Sequence, residues 1–293
     1  MLGVLLAALL ASATGLGWTL HLRDQARRDQ GNSLVYLPPP WIARHGSFGH
    51  PQLLADYVWL QALQYYGDEA NRAQRYRDLH RYLELVVELD PDFRYAYRFG
   101  AAAIPYNTGG WTWHNVEHST ALIQRGLARF PDDWQLWLQL GFNRGVLGTD
   151  YEGAAEAYRH AASARGAPTW IPQLVTRLYS TAGSLERARA YALEILENTD
   201  QPELQETMRQ RLKEIAAEES LIQIDQAIRR FREQTGEAPS TLTQLFANGL
   251  LTSLPQDPLG GTFYIENGEA RSTSMEGGRL RVFGAEPQHE AIP

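Results

Sequence analysis

Asp132–Pro168, DDWQLWLQLGFNRGVLGTDYEGAAEAYRHAASARGAP, decides the fold. Trp137, Leu140 and Gly141 fall on one side of a first helix. After a short turn, Ala154, Tyr158, Ala161 and Ala162 do the same on a second, and Pro168 closes the unit. Spacing by three and four residues is the helical period. Gly141 and Ala161 are small where two helices approach, while Trp137, Leu140 and Tyr158 fill the space between them. One such pair cannot bury its apolar face alone, so the stretch predicts neighbours of its own kind.

Those neighbours are legible. Pro91, Pro131, Pro168 and Pro202 close successive units at intervals of 40, 37 and 34 residues. Trp59, Ala62, Leu63 and Tyr66, then Leu79, Leu83 and Val86, give the first unit its two apolar stripes. Phe99-Gly100, then Ser119, Ile123, Gly126 and Leu127, mark the second. Val175 and Tyr179, then Ala188, Ala192 and Leu196, mark the fourth. The pattern W-x2-L-G…A-x3-Y-x2-A…P resembles the tetratricopeptide repeat (TPR). The resemblance implies an all-α chain with an α-solenoid of about four TPR-like hairpins over residues 52–220. Asp90, Asp92, Asp132 and Asp133 beside the closing prolines suit helix N-caps.

The chain of 293 residues is 44% hydrophobic and carries 27 basic against 34 acidic residues, a net charge of −7. That balance argues against a general nucleic-acid binder. With no cysteine, disulfides, thiolate nucleophiles and thiolate metal sites are excluded. Met1–Leu22 carries no charged side chain and is long enough to cross ~30 Å of hydrocarbon as a helix. An N-terminal transmembrane anchor is expected, although Ala11-Ser12-Ala13 also fits signal cleavage. Arg23, Arg27 and Arg28 would favour a cytoplasmic bulk. Residues 23–51 are expected to be a linker, stiff and extended at Pro38-Pro39-Pro40.

From Pro202 one long helix is predicted to about Gln234. Residues 221–284 then form a small α+β module: a short helix capped by Ser240, a strand Thr262–Ile265, a turn at Asn267-Gly268, a strand Ala270–Ser272 and a third over Leu280–Phe283. A disordered tail, 285–293, is expected to follow. Within the module, AIRRFREQTGEAPSTLTQLFANGLLTSLPQDPLGGTFYI contains G-x-x-P-x-x-L and L-P-x-D-P-x-G-x-x-F. It resembles the C-terminal segments of type II secretion pseudopilins and pilin-like proteins. No Gly-Phe-Thr-Leu-x-Glu prepilin signature opens the chain, so a filament subunit is not implied. The whole resembles bacterial N-terminally anchored TPR proteins. That implies the inner membrane, a single pass, and a periplasmic bulk.

Solenoids bind ligands on the concave face. Alignment on the Trp and Gly landmarks assigns to that face Tyr57, Leu60 and Gln64 in the first unit, then Arg94, Tyr97 and Ala101. It assigns Gln135, Leu138 and Phe142 in the third, and Trp170, Gln173 and Arg177 in the fourth. Aromatics, leucines, amides and arginines suit a peptide or helix of a partner protein. Trp111 and Trp113, in the long loop from Pro105, are expected either as further anchors, since exposed loop aromatics often bind, or folded back to cap the groove between repeats. His114-Asn115-Val116-Glu117-His118 matches H-x-x-E-H. On one helix, His114 and His118 would sit a turn apart and could hold zinc, with Glu117 as general base. Arg72, Arg75, Arg77 and Arg81 form a basic stretch, fit for lipid headgroups or a solvated face paired with Glu69, Asp78 and Glu84.

The sequence thus predicts a non-enzymatic, membrane-tethered scaffold, without cofactor, that holds a protein partner. Its expected setting is a pilus or secretion apparatus. A structural subunit of a larger complex and a zinc-dependent hydrolase are the alternatives.

Overall fold

The computed structural model describes residues 37–109, 112–275 and 280. They are mostly helical and fall into two compact units, one ending at Leu122 and one beginning at Ile123. The expected span 1–22 and tail 285–293 lie outside the described residues. Among the described residues, no helix is long and apolar enough to cross a membrane.

The first unit opens with α1 (Pro40–Gly46) where a spacer was expected. Pro40 stands in the first turn, where a proline's fixed φ is already helical and its missing N–H has no intrahelical task. The Ala43 N–H donates to the Pro39 carbonyl at 3.0 Å. Arg44 Nη2 donates to the Glu88 carbonyl at 2.6 Å, near the end of α4 (Leu79–Leu89). Residues 40–51 therefore belong to the folded unit. α2 (Pro51–Gly67) pairs with α4. Their shared core includes Ala55, Val58 and Ala62 from α2, and Leu79, Leu83 and Val86 from α4. The insertion between them folds as α3 (Glu69–Ala73), capped by Asp68, whose carboxylate accepts from Ala70 N–H.

α4 packs on α5 (Arg94–Ala103). A Cβ at Gly100 would meet methyls of Leu83 and Leu122, so the landmark glycine marks a close approach. The long connection from Pro105 carries a short antiparallel ladder of β1 (Tyr106–Asn107) and β2 (Trp113–His114). Then comes α6 (Val116–Arg129).

In the second unit, α7 (Trp134–Gly145), α8 (Tyr151–Ser163), α9 (Ile171–Thr181), α10 (Leu185–Asn198) and α11 (Pro202–Thr235) pack each on the next. Asp133 caps α7 by accepting from Gln135 N–H and Leu136 N–H, and Asp150 caps α8 through Gly153 N–H. A Cβ on Gly141 would run into the Tyr158 ring. Trp137 stacks on His160 at 4.3 Å and donates from Nε1 to the Pro131 carbonyl at 2.7 Å.

α11 spans 34 residues and serves two cores. Ile215 packs with α8–α10 residues, while Leu221, Ile224, Ile228 and Phe231 pack with Leu245, Phe263 and Ala270 of the C-terminal module. Gly236, in the left-handed region at φ +76°, ends the helix. α12 (Leu242–Ala247) is capped by Thr241 rather than Ser240. Thr241 and Gln244 form a capping box, and Ser240 N–H donates instead to Gln244 Oε1 at 2.7 Å. β3 (Phe263–Glu266) pairs with β4 (Glu269–Ser272) through Asn267-Gly268, both at positive φ, as a two-residue hairpin turn of type I′ requires. Of the expected third strand only Leu280 is described; its N–H donates to Glu218 Oε2 at 3.3 Å.

Candidate functional site

His114 and His118 do not share a helix. His114 ends β2 opposite Tyr106. Asn115 then takes φ +63°, a conformation Asn tolerates better than most residues. Its side-chain amide donates to the Arg75 carbonyl at 2.9 Å. The helix starts only at Val116, so the H-x-x-E-H geometry expected of one continuous helix is not formed.

His118, in the first turn of α6, instead lies face to face with His80 of α4, ring centroids 3.7 Å apart and 7° from parallel. Glu84 stands one turn beyond His80 on α4, where residues four apart are neighbours. One ligand atom from each of His80, Glu84 and His118 lies within 4.8 Å of the others. His80 Nδ1 is buried and makes no well-formed hydrogen bond. Burial lowers the His80 pKa, and His118 lowers it further; Glu84, a weak contact with the Arg77 backbone, and Asp78 act against this. That direction favours the neutral imidazole, the form that binds metals. His118 Nε2 also stands 3.8 Å from Glu117 Oε1. His80 and Glu84 do not stand out as ligands in the sequence. Their spacing by four on a predicted helix was the available signal.

A second feature is an apolar surface on the first unit. Tyr57 and Leu60, which α2 was expected to present, are 59% and 55% exposed, and Leu53 continues the row one turn earlier. Gln64 is exposed beyond them, and Arg94 is exposed on α5. Tyr97 departs from expectation. It is 1% exposed, inside the core with Ala96, Gly100 and Ala101 of its own helix. The outward aromatic is Tyr95, 61% exposed, because the buried face of α5 runs through 96, 97, 100 and 101. Tyr95 meets Trp59 edge-on at 5.7 Å. Trp59 and Tyr66 also meet Phe99, at 5.1 and 5.3 Å.

No family model matches the chain, and no curated protein matches it.

In the second unit Gln135 and Trp170 are exposed, whereas Leu138, Phe142, Gln173 and Arg177 are half-buried. Leu138 packs against the α8–α10 core, so its apolar character serves the fold. Trp113 is half-buried in β2, and Trp111 lies outside the described residues. The basic stretch is partly neutralised: Arg77 and Arg81 both pair with Asp78, at 3.6 and 3.3 Å.

Proposed function

We propose that the chain is a membrane-tethered helical-repeat scaffold that holds an apolar segment of a partner protein. The observation that carries this is the exposed row Leu53, Tyr57 and Leu60 on α2, with Tyr95 beside Trp59. Contiguous exposed apolar side chains are costly to maintain in water unless something covers them. Aromatic anchors on a rigid backing are the usual energetic centres of protein interfaces, because they bury much area and lose little rotamer freedom. Gln64 and Arg94 supply polar groups at the edge of the row. The scaffold reading also draws on the TPR-like spacing of the closing prolines. The envelope setting, in pilus or secretion assembly, draws on the pseudopilin-like stretch within residues 221–284 and on the uncharged segment Met1–Leu22. Non-enzymatic action and a periplasmic bulk belong to the same reading.

The test is a photo-crosslinking residue at Gln64 of the full chain, expressed in its native cell. A discrete adduct is expected, and it should disappear when Tyr57→Ser and Leu60→Ser are combined. Both side chains are mainly in water, so circular dichroism and melting should stay near those of the parent. An adduct that persists unchanged in the double variant overturns the proposal.

A further inference from the structure

We infer that His80, Glu84 and His118 form a binding site for a zinc-class divalent cation. The inference is independent of the scaffold reading, since it uses neither the apolar row nor a partner.

The donor set is two imidazoles and one carboxylate, the set used by zinc sites with three protein ligands and one open position. Soft thiolate competition is absent, because the chain has no cysteine. Two secondary-structure elements build the site. α4 fixes His80 and Glu84 one turn apart, and the positive-φ turn at Asn115 delivers His118 at the start of α6. That turn is held by the Asn115 amide on the Arg75 carbonyl, and Ser119, next to His118, is tied to the Ala101 carbonyl at 2.8 Å. The backbone around His118 is therefore fixed before any ion arrives, as a preformed site requires.

Ligand atoms around a tetrahedral zinc stand about 3.3 Å apart, given bonds of about 2.0–2.1 Å. Ligation requires the present separations, within 4.8 Å, to shorten towards that value by side-chain rotation. The parallel rings do not yet aim their lone pairs at one point. His118 is the more accessible ring, with a side chain 38% exposed against a half-buried His80, and Glu84 is exposed. His80 is the fixed ligand. The lack of a well-formed hydrogen bond at its buried Nδ1 is a polar cost that ligation at that nitrogen would offset. The fourth position is left for water or for a side chain of a bound partner.

Zinc chloride titrated into the untagged full chain tests this, read by calorimetry and by the visible spectrum of the cobalt-substituted protein. A single equivalent should bind. His118→Gln and Glu84→Gln, both at solvent-accessible positions, should each weaken binding by at least about tenfold and alter the cobalt spectrum. His80→Gln should do the same, with circular dichroism confirming the fold. His114→Gln should change nothing. Failure of the parent chain to bind stoichiometric zinc overturns the inference. So does binding that survives both His118→Gln and Glu84→Gln, or that is lost with His114→Gln.

Discussion

At the scale of single residues, Gly141 and Tyr158 show how a close helix–helix contact acts. The glycine lets α7 approach the ring of Tyr158 on α8 so closely that a Cβ would overlap it. Tyr158 is buried and cannot swing away. Gly141→Ala therefore gains helix propensity of up to about 1 kcal/mol but incurs overpacking of about 1–3 kcal/mol. A net loss of about 1–2 kcal/mol is expected in urea unfolding at neutral pH; a stabilised variant would show that the ring yields. Burial also pushes the Tyr158 hydroxyl up to about 12. In the unfolded chain it ionises near the ordinary value of about 10. Between these values the unfolded state binds fewer protons than the folded state, so stability falls as pH rises through that window. The two-unit gap corresponds to roughly 2–3 kcal/mol from this group. Tyr158→Phe cannot ionise, so its stability relative to the parent should improve by about that amount between neutral pH and pH ~12. Stability curves that stay parallel across the window would contradict the assignment.

Elements were legible where local chemistry and tertiary packing agree. The α7–α8 hairpin follows from its small and large residues, and the Asn267-Gly268 turn from the need for two positive φ values. The long α11 follows from its unbroken apolar spacing and ends at the left-handed Gly236. Elements were misread where one residue type serves opposite ends. Three prolines signal an extended spacer, yet Pro40 also starts a helix well, and contacts with α4 decide for α1. H-x-x-E-H reads as helical by periodicity. Asn115, able to adopt positive φ, breaks it, and no side-chain period reports that. The His80–Glu84–His118 group was half visible: His80 and Glu84 are a helical i, i+4 pair. Their meeting with His118 depends on how α4 and α6 pack, which a linear pattern does not encode. For a similar reason, Tyr97 is expected on the surface that Tyr95 occupies. Alignment on Gly100 gives the register of α5, but contacts decide which aromatic the core takes.

Across the molecule, the second unit joins two cores through one helix. The part of α11 around Ile215 belongs to the hairpin core, and the part from Leu221 to Phe231 to the C-terminal module. The module is also tied on by polar contacts: Ala270 N–H donates to Asp225 Oδ1 at 2.8 Å, and Arg232 Nη2 to the Gly268 carbonyl at 3.3 Å. Asp257, whose carboxylate accepts from Ser272 Oγ and Leu259 N–H, pins the preceding loop to β4. The L-P-x-D-P stretch is thus used structurally through its aspartate. Two cores on one helix need not open together, since cooperative units commonly follow supersecondary boundaries. Ile224 is 1% exposed and belongs to the module's cluster. Ile224→Ala should cost about 2–5 kcal/mol by leaving a cavity there. Hydrogen exchange should register that cost locally. The Ala270 amide, held by Asp225, and its neighbours in β3 and β4 should exchange at least about 30-fold faster, the equivalent of ~2 kcal/mol. Amides of α8, whose core contains Ala154, Ala155 and Ala161, should keep their protection. Equal acceleration in α8 and β4 would mean that α11 couples the two cores into a single folding unit, and the proposed division within the second unit would be wrong.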